Sequence, residues 1–317
     1  MSDVRVSDAT DDDLAALAPL LSRARPLNEP YTADALREMR RADENAVCLA
    51  AFVGDRLVGG ALATAGGRWR QPDGAFMVPA FIVEEAYRGH GIGTAMAARV
   101  ETRAFASGAR RVVTSIHGDA EPALRFAAKR GYREFHRESV SLLDLRRPAR
   151  APEAEATAPD AGVRVLTLGE VLASEPAERR SLIERISSAQ QELLSDLPSS
   201  EISFPKRSLD EYEHVFLRAL DPEASLVALR GTEVLALVLV RRGRAAATIV
   251  AVGEVGSGRG RKLIVPLKVR AIDVLRRAGA HAVVSIHDRD NAVTRQLNRS
   301  LGFERQPPLV RLELRRR

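Results

Sequence analysis

The chain has a single cysteine, Cys48, in 317 residues. It has no second thiol for an internal disulfide, which fits a reducing compartment. The neighbours Ala46, Val47, Leu49 and Ala50 are apolar, so a buried strand thiol is expected there, not a nucleophile. No apolar run approaches the ~20 residues that span a bilayer. The first residues, MSDVRVSDATDDD, are acidic and lack an apolar centre, so no secretory signal is read in them. These absences predict a cytoplasmic protein with no membrane partner. Aromatic residues are only 4%, and lysine occurs four times, at Lys129, Lys206, Lys262 and Lys268. The net charge of +6 rests on arginines scattered among acids, clustered only at Arg315-Arg316-Arg317. A nucleic-acid groove needs clustered bases with stacking aromatics, so no nucleic-acid partner is expected. No metal site is read from the sequence either.

What is present is the balance of a soluble globular chain, long enough for two domains. Self-similarity organises it. Gly131-Tyr132 and Gly302-Phe303 stand 171 residues apart, and Gly108 with Gly279 and Val112-Val113 with Val283-Val284 keep that spacing. Ser115-Ile116-His117 returns one residue out of step as Ser285-Ile286-His287, which predicts one structural role for both histidines. Val4-Arg5-Val6 resembles Val163-Arg164-Val165. Between the copies, residues 146–161 read RRPARAPEAEATAPDA, with three prolines and no apolar period, as a linker does. The expected organisation is one domain over 1–145, a linker over 146–161 and a second domain over 162–317.

Each copy has the same expected order. A short strand precedes a helix introduced by Thr10 and Asp13, or by Ser208 and Glu211 in the second copy, at capping-box spacing. Hairpin strands follow at Val47–Val53 and Arg56–Ala65, joined by Gly54-Asp55. Then come a strand over Ala75–Val83, a glycine-rich segment, a helix to about Ser107, a strand at Val112–Ile116, a helix at Glu121–Arg130 and a last strand near Val140–Leu145. The second copy repeats this with strands at Ser225–Arg230, Glu233–Arg242, Ala245–Val252 and Ala282–Ile286. The fold class is α/β, with a mixed α+β sheet in each of two tandem domains.

The segment Ile82-Val83-Glu84-Glu85-Ala86-Tyr87-Arg88-Gly89-His90-Gly91-Ile92-Gly93-Thr94 carries the chemistry. A strand ends, glycines turn the backbone and a helix starts, which aims unpaired N–H groups and the positive helix end at one place. Glycine keeps the approach to those amides free of Cβ atoms, and Arg88 adds a planar cation suited to phosphate. No Gly-Lys-Ser/Thr follows, and the segment does not follow the first strand, so neither a Walker loop nor a dinucleotide fingerprint fits.

Arg88-x-x-Gly91-x-Gly93 after a strand ending at Val83, followed by strand, helix and Gly131-Tyr132, resembles the GNAT superfamily of N-acetyltransferases. Both copies share the resemblance, and the layout is similar to actinobacterial mycothiol-synthase-like proteins with two acyl-CoA N-acyltransferase domains. The resemblance implies acetyl-CoA as co-substrate. Its diphosphate would be held by Arg88, Gly89, His90, Gly91, Ile92, Gly93 and Thr94, and its pantetheine arm by the backbone of Ile82 and Val83. It implies transfer of an acetyl group to a small-molecule primary amine by a monomer or homodimer. A non-catalytic acyl-CoA-binding regulatory module and a protein N-terminal acetyltransferase are the alternatives.

On the 171-residue spacing Lys262 and Ile264 replace Gly91 and Gly93, while Arg259-Gly260 keep Arg88-Gly89. The second loop is therefore expected to be degenerate, and Pro266 then falls in a first helical turn, where proline is tolerated. Family members often place a tyrosine acid four residues before the Gly-aromatic pair, and Ala127 and Asn298 stand there instead. Glu84 and Glu85 at the strand end and His117 beside the expected splay are the candidate catalytic residues, each with a structural alternative. Asn291 is either a pantetheine contact or an N-cap. Trp69 is either an acceptor contact or a packing residue.

Overall fold

The computed structural model describes residues 4–24, 30–66, 74–148, 162–196, 208–243 and 246–316. Trp69 and most of the expected linker, residues 149–161, lie outside the described residues. The first half runs β1 (Val4–Asp8), α1 (Leu14–Arg23), α2 (Ala33–Ala42), β2 (Val47–Val53), β3 (Arg56–Thr64), β4 (Phe76–Val83), α3 (Ile92–Ala106), β5 (Arg111–His117), α4 (Glu121–Lys129) and β6 (Arg133–Asp144). The second half runs β7 (Val163–Thr167), α5 (Leu168–Ala173), α6 (Pro176–Ser195), the short α7 (Leu209–Glu211), β8 (Leu226–Arg230), β9 (Glu233–Arg242), β10 (Ala246–Glu254), α8 (Ile264–Arg277), β11 (Ala282–Asp288), α9 (Ala292–Ser300) and β12 (Glu304–Arg315). This is the α/β order read from the sequence, with additions. Helices α2 and α6 are the additions; α2 starts at an N-cap, Thr32, whose side chain accepts from Ala35 N–H, and α6 starts with Pro176 in its first turn. Strand β6 begins at Arg133, well before the expected Val140, because polar residues such as Glu134 and Arg137 interrupt its apolar pattern.

Local rules explain the ends. Ser208 and Glu211 form a reciprocal capping box at the start of α7. Thr10 and Asp13 also pair reciprocally, with the Thr10 N–H donating to the Asp13 carboxylate at 2.7 Å and the Asp13 N–H to the Thr10 hydroxyl at 3.3 Å. That bond closes the turn before α1, which begins at Leu14. Pro266 lies in the first turn of α8, where its missing N–H costs little.

The chain forms two compact units, and they exchange strands relative to the two halves of the sequence. The first unit contains the described residues up to Arg137 and those from Leu309 onward, and its strands run β1-β2-β3-β4-β5-β12. In it β12 pairs antiparallel with β5, from Leu309 opposite His117 to Arg315 opposite Arg111. The second unit runs β6-β11-β10-β9-β8-β7, with Val140 of β6 opposite Ile286 of β11. Each sheet buries both faces under helices. In the first unit Ile92, Met96 and Val100 of α3 pack on one face, and Leu14, Leu17 and Leu21 of α1 on the other. In the second, α8 supplies Leu267 and Leu275 to one face, and α6 supplies Ile183 and Ile186 to the other. Cys48 is buried in β2, and burial pushes its thiol pKa up to about 12, so it is a packing residue.

One interior group stands apart. Lys268 of α8 is fully buried, and its amine donates to Asn298 Oδ1 and lies 4.8 Å from the Phe303 ring centre. Burial pulls its pKa from 10.5 down to about 7. Between those values the unfolded chain binds a proton that the folded chain does not, so this group makes stability rise with pH from about 7 to about 10.5. The melting temperature of the wild type is expected to climb between pH 7 and pH 9 more steeply than that of Lys268→Met. Parallel melting curves across that range would remove the argument.

Candidate functional site

The strand-to-helix segment of the first unit is built around two left-handed glycines. After β4 ends at Val83, Glu85–Tyr87 make one 3-10 turn, and Gly89 and Gly91 both adopt φ +82°. Gly91 caps α3. Side chains rarely adopt that φ, so glycine is selected here by backbone conformation. A Cβ at either position would meet no protein atom within 4 Å, which means that the space above both residues is open. Among the described residues no oxygen accepts from the N–H groups of Gly89, His90, Gly91, Ile92, Gly93 or Thr94, whereas Arg88 N–H is spent on Glu85 O at 3.1 Å. Six unpaired amides at and just before a helix N-terminus make a cradle suited to an anion. Arg88 Nε donates to the Val83 carbonyl at 3.1 Å, which anchors the guanidinium to the strand end.

The neighbouring strands part beside this cradle. β4 and β5 pair in parallel only from Phe76 opposite Val112 to Val78 opposite Thr114. Pro79 follows the last pair and has no N–H to continue the ladder. Ile82 and Val83 pair with Gly60 and Gly59 of β3, so their edge toward β5 has no strand partner.

The candidate catalytic residues sit in three different settings. Glu84 bridges Arg23 at 3.0 Å and Arg56 at 3.2 Å. The hydrogen bond from Arg23, followed by that from Arg56, holds its carboxyl below the usual carboxylate range, which makes it a weak base. Neither arginine was signalled by the sequence, because both pairs join residues far apart in the chain. Glu85 is exposed on the 3-10 turn. His117 is exposed at the end of β5, and its carbonyl accepts from Ala120 N–H at 3.0 Å. Alternation along β5 puts His117 on the face of Val113, which packs with Ala75 and Met77, and puts Ile116 on the face toward Ala127 of α4.

The two histidines of the repeated Ser-Ile-His do not share a role. Phe76 opposite Val112 in the first unit corresponds to Ala247 opposite Val283 in the second, a constant spacing of 171 residues. That register matches His287 to Ile116, not to His117. His287 is accordingly buried, with Val283 on the α8 side. Burial, followed by the nearby Lys268 charge, lowers its pKa. The one-residue offset in the motif had moved the side chain to the opposite face of the strand.

The second loop repeats the backbone but not the vacancy. Gly256–Gly258 make a matching 3-10 turn, and Gly260 at φ +78° and Lys262 at φ +58° repeat the turns of Gly89 and Gly91. Arg259 is held by Glu192 at 2.6 Å and Asp196 at 2.5 Å. Asn291 accepts from Thr294 N–H at 2.9 Å through Oδ1, the geometry of an N-cap. Among the described residues no group of three or more His, Cys, Asp or Glu side chains is arranged to hold a metal ion, and no helix is long and apolar enough to cross a membrane.

Residues 14–132 match the acetyltransferase (GNAT) family. No curated protein matches this sequence. Among solved structures, the fold is similar to a tandem GNAT protein from the clavulanic acid biosynthesis pathway, with 18% identity, a TM-score of 0.74 and coverage of 99% of this chain and 98% of that one. A GCN5-related N-acetyltransferase from Sphaerobacter thermophilus gives 21% identity, a TM-score of 0.68 and coverage of 98% and 95%. The glucosamine N-acetyltransferase region of a fungal multi-domain β-N-acetylglucosaminidase gives 16% identity and a TM-score of 0.66, matching 99% of this chain and 38% of that one.

Proposed function

We propose, from the premise that residues 14–132 belong to the acetyltransferase (GNAT) family and that the chain carries this fold twice, that the first unit transfers an acetyl group from acetyl-CoA to a primary amine of a small molecule. The observation that carries the reading is the set of unpaired amides from Gly89 to Thr94 beside the parted strands. The family fold supports acyl transfer in general; the donor and the acceptor are our reading. Arg88 and the amides of Gly89, His90, Gly91, Ile92, Gly93 and Thr94 hold the diphosphate. The edge of Ile82 and Val83 toward β5, which has no strand partner, lines up the pantetheine arm. Acetyl-CoA supplies a thioester carbonyl as the acyl donor.

The remaining chemistry falls to this chain's side chains. An alkylammonium has a pKa near ~10 and must lose a proton before it attacks. His117 is exposed on the side of β5 away from α4, and we assign it that proton. Glu85 attracts the ammonium, and Glu84, tied to Arg23 and Arg56, takes no proton. Ala127 in place of the family's tyrosine leaves positioning to supply most of the rate.

Thiol release from acetyl-CoA with a panel of small amines, polyamines and peptide N-termini tests the reading. Saturable release with a small amine is expected, and His117→Ala is expected to lower kcat about a hundredfold while changing KM little, as loss of a general base does. Tight acetyl-CoA binding with no turnover on any amine would mark a regulatory module instead. Turnover on peptide N-termini alone would mark a protein N-terminal acetyltransferase.

A further inference from the structure

The two units place different residues at equivalent points. With the 3-10 turns aligned, Val83 corresponds to Glu254, Gly89 to Gly260 and Ile92 to Leu263. In the first unit the Val83 side chain points toward Gly93, since a Cβ there would lie 3.8 Å from Val83 Cγ2. At that point in the second unit the Glu254 carboxylate accepts from Gly260 N–H at 2.8 Å through Oε2, and from Leu263 N–H at 2.5 Å through Oε1. These two amides correspond to Gly89 and Ile92, which have no partner in the first unit among the described residues. One carboxylate therefore sits on the amides that form the cradle in the first unit. Two more amides of the turn are also taken, Gly256 N–H by Glu192 at 3.0 Å and Ser257 N–H by Glu233 at 3.2 Å.

A second difference lies between the helices. Lys268 and Asn298 correspond to Ala97 and Ala127, and His287 to Ile116. Where the first unit has two methyl groups, the second has a hydrogen bond from Lys268 to Asn298 that ties α8 to α9. β10 and β11 part after Ile249 opposite Ser285, as β4 and β5 do after Val78. The pairing of β10 with β9 has a bulge at Val250, and the pairing of β4 with β3 shifts at the equivalent place, between Met77 and Ala80.

We propose that the second unit is a closed copy in which Glu254 stands in for the diphosphate of a nucleotide, so that the chain takes up one equivalent of acyl-CoA, in the first unit. This rests on the proposed function for the location of that one equivalent, but the closure of the second unit is separable from it. A carboxylate bound by two backbone amides is an intramolecular anion at effectively saturating concentration, and an external phosphate must displace it and also face its charge. Removing the carboxylate leaves two amides and the neighbouring Lys262 for an anion to use.

The test uses full-length protein and calorimetric titration with two probes, coenzyme A and inorganic pyrophosphate. The wild type is expected to bind one coenzyme A, and Gly91→Glu none. Adding Glu254→Val, the residue of the first unit, to Gly91→Glu is expected to restore pyrophosphate binding at least tenfold over Gly91→Glu alone. Glu254→Gln in the same background keeps the size and removes the charge, and covers the case in which the valine variant loses its melting transition. A second coenzyme A bound by the wild type overturns the closed copy. So does unchanged pyrophosphate binding in both folded double variants. Failure of the wild type to bind coenzyme A at all, with pyrophosphate gained on removal of Glu254, would sink the proposed function and leave the closed copy standing.

Discussion

Gly91→Glu is expected to raise the dissociation constant for acetyl-CoA by at least about a hundredfold, or about 2.7 kcal/mol. Two effects combine. The residue has φ +82°, where a side chain costs roughly 1–2 kcal/mol. The new carboxylate would also stand over unpaired amides, where it competes with the diphosphate and repels it. The protein itself has room, since no atom lies within 4 Å of a Cβ at Gly91, so the fold should survive and the loss should appear in binding. Gly91→Ala separates the two effects, because it carries the backbone cost without the charge. Its affinity is expected to fall about tenfold, on a cost of roughly 1.4 kcal/mol. Equal affinity of Gly91→Glu and wild type for acetyl-CoA, measured by calorimetry, would remove the cradle from the site.

The second large effect concerns folding. A fragment of residues 1–145 is expected to lack a cooperative melting transition, although it contains every element of the first sequence copy. In the whole chain β12 supplies the strand that covers β5, with Val310 and Leu312 buried in one cluster with Ala127, and Leu314 packed against the core under α3. Arg111 of β5 pairs there with Glu313 at 2.9 Å, both largely out of solvent. Three aliphatic side chains at about 1.5–3 kcal/mol each amount to much of the 5–15 kcal/mol that holds a domain. The fragment would also expose β5 as an open edge, which invites aggregation. Co-expression of 1–148 with 149–317 as separate chains is expected to give a complex that purifies together, since each compact unit needs a strand from each piece. A monomeric 1–145 fragment with a sharp melting transition would refute the exchange.

Local features were legible because they are encoded within a few residues. The 171-residue repeat, the hairpin at Gly54-Asp55, the capping box at Ser208 and the turn-helix of Arg88 to Thr94 each rest on near-neighbour chemistry, and each appears in the structure. The Glu254 closure was also within reach, since the repeat spacing already set Val83 against a glutamate. Its role is not visible there, because a carboxylate at a strand end looks solvated until the backbone turns its amides toward it.

What the sequence determined alone is the fold class, the duplication and which copy keeps its glycines, because backbone dihedrals and strand periodicity are short-range properties. Only the tertiary structure decided which strand closes which sheet, because pairing partners for β6 and β12 are chosen by edges far away in the chain. It also decided that His117 faces solvent while His287 is buried beside Lys268, since one residue of register turns a side chain through the sheet. The ion pairs that hold Glu84 and the amides that hold Glu254 belong to the same class: their energy depends on distance in space, which sequence separation does not report.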